Sequence, residues 1–79
     1  MVVKRKVKGG RMISIVKDPS YPFNLGYAVG EVPKGTIVEI NDDRVTYDWT
    51  GKMYYPVIAP NGTKGFINAA ALEEVSKNG

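Results

Sequence analysis

The stretch NGTKGFINAAALEEV, residues 61–75, decides the fold because its two halves predict different secondary structures. Asn61 and Gly62 form the favoured two-residue turn of a β-hairpin, whereas AAALEE at residues 69–74 is a run of strong helix formers. A helix over residues 68–77 would make the chain an α+β domain with a docked C-terminal helix. One tight turn between two strands would instead make it a small barrel.

The helix alternative is disfavoured by its length and its apolar surface. A helix over residues 68–77 would be about ten residues long, which is marginal for a helix in water. Asn68 could cap it, but Ala71 occupies the position where a capping box has Glu or Gln. Its apolar stripe would hold three residues: Ala69, Leu72 and Val75. Because tertiary context overrides local propensity, we predict one 3₁₀ turn near residues 69–71, followed by a strand at 72–75.

The rest of the chain predicts short β-strands separated by turns. TIVEI at residues 36–40 is the clearest strand, since apolar and β-branched residues alternate there. RVTYDW at residues 44–49 also alternates, which predicts a hairpin excursion. No segment before residue 68 has helical periodicity. We therefore predict an all-β fold, a small antiparallel barrel of five to seven short strands.

Composition excludes most enzyme chemistry. The 79 residues suffice for one small domain. The chain has no cysteine and no histidine, which excludes disulfides, zinc sites with such ligands and nucleophiles activated by imidazole. Asp42, Asp43 and Asp48 lie in predicted turns, where a cleft that would shift their pKa values is not expected. We expect a non-enzyme without a cofactor or metal.

Positive charge is concentrated at the N-terminus. Residues 1–17 hold six basic and no acidic residues, whereas residues 18–79 hold five basic and eight acidic residues, which together give the net charge of +3. We predict a basic arm or edge strand over residues 1–11, and its candidate polyanion-binding residues are Lys4, Arg5, Lys6 and Lys8. The alternative is a solvated charged edge that aids solubility.

Four motifs, in order over residues 12–75, resemble those of the bacterial SH3-like (SH3b) domain family. They are ISIVKDPS at 13–20, VGEVPKG at 29–35, YYPV at 54–57 and NGTKGFI at 61–67. The sequence departs from the family pattern at Val16, where the family has Arg, at Asp18, where it has Gly, and at Tyr54, where it has Trp. The connection over residues 41–52 is also longer. The resemblance implies a barrel over residues 12–76 with a short tail at 77–79.

An aromatic groove is the candidate binding site. A small barrel can bury about half of the eight aromatic residues, and we expect Phe66 to be in the core with these aliphatic residues: Ile13, Ile15, Val38, Ile40, Val57, Ile67 and Leu72. In an SH3-like barrel the first loop and the long connection flank the same end. The resemblance therefore implies a peptide groove lined by Tyr21, Tyr27, Tyr47, Trp49 and Tyr54. For Tyr47 and Trp49, a structural lid over the barrel is the alternative.

Three functions follow from these features. The resemblance implies a module that targets the bacterial cell wall by binding the peptide part of peptidoglycan. The alternative is a structural or adaptor subunit of a phage or other bacterial assembly. In that case the long connection and the basic strand would contact another subunit. The third function is weak nucleic-acid binding through the basic N-terminus. It ranks last because the basic residues are not interleaved with aromatics.

The sequence shows neither an export signal nor an apolar run long enough to span a membrane. We expect a surface or secreted location within a larger wall protein, and otherwise a cytoplasmic or virion location.

Overall fold

The computed structural model describes residues 1–19 and 28–75, and within them one 3₁₀ turn interrupts a succession of β-strands. The strands are β1 (Val2–Val7), β2 (Met12–Val16), β3 (Ala28–Pro33), β4 (Ile37–Asn41), β5 (Thr46–Tyr47), β6 (Met53–Ile58), β7 (Lys64–Asn68) and β8 (Leu72–Glu74). The 3₁₀ turn spans Ala69–Ala71. The predicted all-β class is confirmed.

All eight strands belong to one antiparallel sheet. Seven of them follow the order β3-β2-β7-β6-β4-β1-β8, and β5 pairs with β6 beside this path. Within the described residues the path is open from β3 to β8, so the sheet is not a closed barrel. The strand count exceeds the predicted five to seven because the basic N-terminal segment and the two-residue β5 both pair into the sheet.

The predicted 3₁₀ turn is confirmed and is held by its own side-chain cap. The Ala70 amide donates to Asn68 Oδ1 over 2.8 Å, and the Leu72 amide donates to the Ala69 carbonyl. Leu72 then returns to extended backbone and is buried. The run of helix formers therefore ends after one turn, because the next side chain packs in the core of the sheet.

The hairpin between β6 and β7 has a three-residue loop rather than the predicted two-residue turn. The Ala59 amide donates to the Thr63 carbonyl, and the Gly62 amide donates back to the Ala59 carbonyl, each over 2.9 Å. Pro60, Asn61 and Gly62 lie between these bonds. Gly62 has a φ of +90°, which fits the common three-residue loop whose last residue is left-handed.

The core lies on one face of the sheet. Its buried members are Val7, Ile15, Val32, Val38, Ile40, Val57, Ala59, Ile67 and Leu72, with Ile13 partly buried against them. Six of the seven predicted aliphatic residues are buried here. Phe66 is the exception among the expected core residues: it is half-buried and precedes the fully buried Ile67 on β7. Since neighbouring residues on a strand face opposite sides, Phe66 lies on the outer face.

β1 is an internal strand, not the predicted arm or edge strand. It pairs with β4 from Val2 to Lys6 and with β8 from Arg5 to Val7. Val7 contributes a core side chain that is 1% exposed. The sequence analysis did not predict that Val7 is a core residue. Val7 follows Lys4, Arg5 and Lys6, and such a run of basic residues is typical of an exposed segment.

Candidate functional site

A surface groove of about 540 Å³ lies where β2, β6 and β7 meet the 3₁₀ turn. Its apolar walls are formed by Ile13, Val16, Ala70 and Ala71. Ser14, Tyr54 and Asn68 add polar groups, and Lys8 stands at its margin on the β1–β2 connection. We call this surface the Tyr54 groove.

Tyr54 is the member of the predicted site that lines this groove. It lies on β6, opposite Thr46 on one side and Asn68 on the other. Its side chain is half-buried, and this burial raises the pKa of the phenol, with a further contribution from the negative charge of Asp48. The side chains of Asp48 and Asn68 also hydrogen-bond the phenol, so its oxygen has a fixed position at the groove, where its remaining lone pair can accept a hydrogen bond from a ligand.

Ser14 and Asn68 are groove residues that the sequence analysis missed. Ser14 precedes the buried Ile15 on β2, and Asn68 follows the buried Ile67 on β7. Strand alternation places both side chains on the outer face. The signal was present in the sequence as polar residues flanking the two best core isoleucines, but polar residues at outward positions are ordinary in a sheet that faces water.

The loop between β5 and β6 is fixed by Asp48. Its Oδ1 accepts hydrogen bonds from the Thr50 amide (2.8 Å), the Thr50 hydroxyl (2.6 Å) and the Lys52 amide (2.9 Å). These hydrogen bonds lower the pKa of the Asp48 carboxyl, and the bond from the Thr50 hydroxyl has the largest effect. Gly51 completes the turn with a φ of +89°. These hydrogen bonds fix the backbone of the loop on both sides of Trp49.

Val45, Tyr47 and Trp49 form an exposed apolar stripe, which we call the aromatic stripe. These side chains are 41%, 55% and 61% exposed, respectively. Val45 and Tyr47 occupy alternate positions around β5 and share one side of it, and Trp49 follows them in the turn that Asp48 and Gly51 close. None of the three lines the Tyr54 groove.

Among the described members of the predicted aromatic groove, the structure does not bring Tyr54 and Tyr47 together. Thr46 is opposite Tyr54, and Tyr47 is opposite Met53. Directly opposed residues share a face and neighbours alternate, so Tyr54 and Tyr47 point to opposite faces of the β5–β6 hairpin. Tyr21 and Tyr27, which were predicted to complete the groove, lie outside the described residues.

The candidate polyanion-binding residues of β1 face carboxylates on both neighbouring strands. Lys4 is opposite Glu39 on β4, while Arg5 and Lys6 are opposite Glu74 and Glu73 on β8. Opposite charges at paired positions attract and offset one another. Lys8 is placed differently, since it lies beyond the strand at the Tyr54 groove. Weak, salt-dependent binding of polyanions by these four residues stays a prediction.

In residues 1–19 and 28–75, the acidic side chains bear on metal binding and the helix content on membrane crossing. No group of three or more Asp and Glu side chains there is arranged to hold a metal ion. The described part of the chain also has no helix that is long and apolar enough to cross a membrane.

Comparisons with known proteins give no family assignment. No protein-family model, curated protein or solved structure matches this chain. The resemblance to bacterial SH3-like domains therefore rests on the four sequence motifs.

Proposed function

We propose that this chain is a non-catalytic binding module that holds a short peptide in the Tyr54 groove. The observation that carries the proposal is the half-buried Tyr54 phenol in a concave surface of about 540 Å³. Ligand sites combine mostly apolar walls with a few polar groups that orient the ligand. Here Ile13 and Val16 supply apolar wall, and Ser14 and Tyr54 supply hydrogen-bonding groups.

The ligand that we propose is the peptide part of peptidoglycan. The family resemblance leads to this choice, and two properties of the groove are compatible with it. Lys8 places a cation at the margin, where it can attract a peptide carboxylate. The small side chains of Ala70 and Ala71 leave room for a ligand backbone to approach closely.

A titration with a soluble muropeptide tests this function. Removing the Tyr54 hydroxyl in Tyr54→Phe should weaken binding about fivefold, since a typical hydrogen bond contributes about 1 kcal/mol. Tyr55→Phe is the matched control, because Tyr55 is the next residue on β6 and packs against the core instead. Calorimetry would contradict the proposal if the folded wild-type protein bound no muropeptide at millimolar concentration, or if both variants bound equally well.

A second function, that of a structural or adaptor subunit of a phage or other bacterial assembly, is favoured by the aromatic stripe. Clustered exposed apolar side chains commonly mark protein interfaces, and Tyr47 and Trp49 are each more than half exposed. If the stripe anchors a partner, Trp49→Ala should leave the melting temperature nearly unchanged but weaken that complex by about 2 kcal/mol or more.

Affinity capture from a bacterial lysate can test this second function. A partner should be retained by the wild-type protein and by Lys52→Ala, which changes an exposed residue of the same loop. It should be lost with Trp49→Ala and Tyr47→Ala. Identical capture by all four proteins would exclude the stripe as the contact surface.

A further inference from the structure

A second groove, of about 700 Å³, lies on the outer face of the sheet above β4, β6 and β7. Besides the buried Ile40 and Val57, its apolar residues are Val2, Pro56, Ile58 and Phe66. Its charged residues are Glu39, Arg44 and Lys64. We call it the outer groove. It shares no lining residue with the Tyr54 groove, so it is a separate surface.

Strand register explains why these side chains share a face. Ile58 of β6 is opposite Glu39 on one side and Lys64 on the other. Pro56, two residues before Ile58, is opposite Phe66. The intervening Val57 is buried in the core. The outer positions of β6 and β7 thus carry Pro56, Ile58 and Phe66, apolar side chains where a solvent-facing sheet would carry polar ones.

The apolar floor is exposed rather than covered. Val2 is 61% exposed and Ile58 is 44% exposed, while Phe66 and Pro56 are half-buried. Contiguous exposed apolar side chains with charged residues at their edges are typical of interaction surfaces. The floor is formed by paired strands, so a ligand would meet a preformed surface.

The charged residues at the margin of the outer groove favour a ligand with negative charge. Glu39 is opposite Lys4 of β1, so a neighbouring cation offsets its charge. Arg44 and Lys64 have no salt bridge within the described residues. Lys64 lies on the β7 side of β6, and Arg44 lies on the other side in the β4–β5 connection. Two cations without a salt bridge in the described part of the chain therefore border the apolar floor from opposite sides.

We propose that the outer groove binds an extended peptide segment of a partner protein whose apolar residues are flanked by carboxylates. The strands on either side of β6 are about 10 Å apart, two strand spacings. An extended peptide rises about 3.3 Å per residue, so carboxylates about three or four residues apart match the two cations. The apolar residues between them would contact Ile58 and Phe66.

An NMR titration of the ¹⁵N-labelled protein tests this proposal with a defined probe. The probe is the blocked peptide Gly-Glu-Leu-Val-Leu-Glu-Gly, and its matched control has lysine in place of both glutamates. The acidic peptide should shift the amide signals of Ile58, Lys64 and Phe66, and the lysine peptide should bind about tenfold more weakly because like charges meet.

Charge-reversal variants complete the test. Arg44→Glu and Lys64→Glu should each weaken binding of the acidic peptide about fivefold, the upper range for an exposed ion pair. Lys52→Glu, an exposed residue outside the groove, should have no effect, and Tyr54→Phe should also leave this binding unchanged. The proposal is overturned if the acidic peptide shifts no signal at millimolar concentration, shifts only the Tyr54 groove, or binds no better than the lysine peptide. A muropeptide result at Tyr54 is independent of all these outcomes.

Discussion

Two segments of this chain share one sequence pattern and differ in burial. Residues 36–40 and 45–49 both place apolar side chains at alternate positions, Val38 and Ile40 in the first and Val45, Tyr47 and Trp49 in the second. In the first, Val38 and Ile40 are 1% and 2% exposed; in the second, Tyr47 and Trp49 are 55% and 61% exposed. Alternation determines which side chains share a face, and it does not determine whether another part of the protein covers that face.

The number of neighbouring strands explains the difference. β4 pairs with β1 on one side and with β6 on the other, and its inner face packs in the core. β5 is two residues long and, within the described residues, pairs with β6 alone. The first segment therefore contributes to the stability of the fold, and the second leaves apolar surface available to a partner.

Removing a core side chain should give the largest effect on stability. Ile67 is fully buried, and Ile67→Ala should lower the free energy of unfolding by about 2–5 kcal/mol through lost burial and a cavity. Tyr47→Ala deletes a larger side chain from the exposed stripe, and its cost should be within about 0.5 kcal/mol. Urea unfolding monitored by circular dichroism measures both. Equal costs would show that the stripe is part of the core.

β2 and β7 should pack too closely to accept a larger side chain at Gly65. A Cβ at Gly65 would lie 2.6 Å from both Ile15 Cγ2 and the Val16 carbonyl oxygen, so Gly65→Ala should destabilise the protein by about 1–3 kcal/mol. Gly10→Ala is the control, because a Cβ there has its nearest neighbour at 3.7 Å. If thermal melts showed the two variants to be equally stable, the two strands would not pack as closely as described.

A smaller, pH-dependent effect is expected at the loop that holds the aromatic stripe. The hydrogen bonds to Asp48 place its pKa below the ordinary value of 3.8. Its stabilising contribution is therefore present above about pH 4 and is lost as the pH falls through the folded-state pKa. Asp48→Ala should melt earlier than the wild-type protein at pH 7, and the difference should shrink in acid. Glu31→Ala, an exposed change on β3, is the control for removing a surface carboxylate.

How far the sequence predicts this structure depends on the range of the interactions involved. The six buried aliphatic residues follow from local alternation. The 3₁₀ turn at 69–71 follows from the small apolar stripe of the alternative helix, against the local propensity of its alanines. The pairing of β1 with β4 and β8 joins segments that are distant in sequence. The charged residues of β1 indicated an exposed arm or edge, so this pairing was not predicted. The placement of Tyr54 and Tyr47 on opposite faces depends on the register of β5 against β6, which is set by the Asp48 loop rather than by composition.

Trp49 allows the most direct test of the central claim, that the second segment is exposed on a folded core, because it is the single tryptophan in the chain. The measurement is its fluorescence emission and acrylamide quenching in the folded protein and in urea. An exposed Trp49 predicts emission in the folded state close to that of a tryptophan derivative in water, ready quenching, and little shift on unfolding. Blue-shifted emission that is protected from acrylamide and moves to longer wavelength on unfolding would contradict the claim, and would identify Trp49 as a lid over the core.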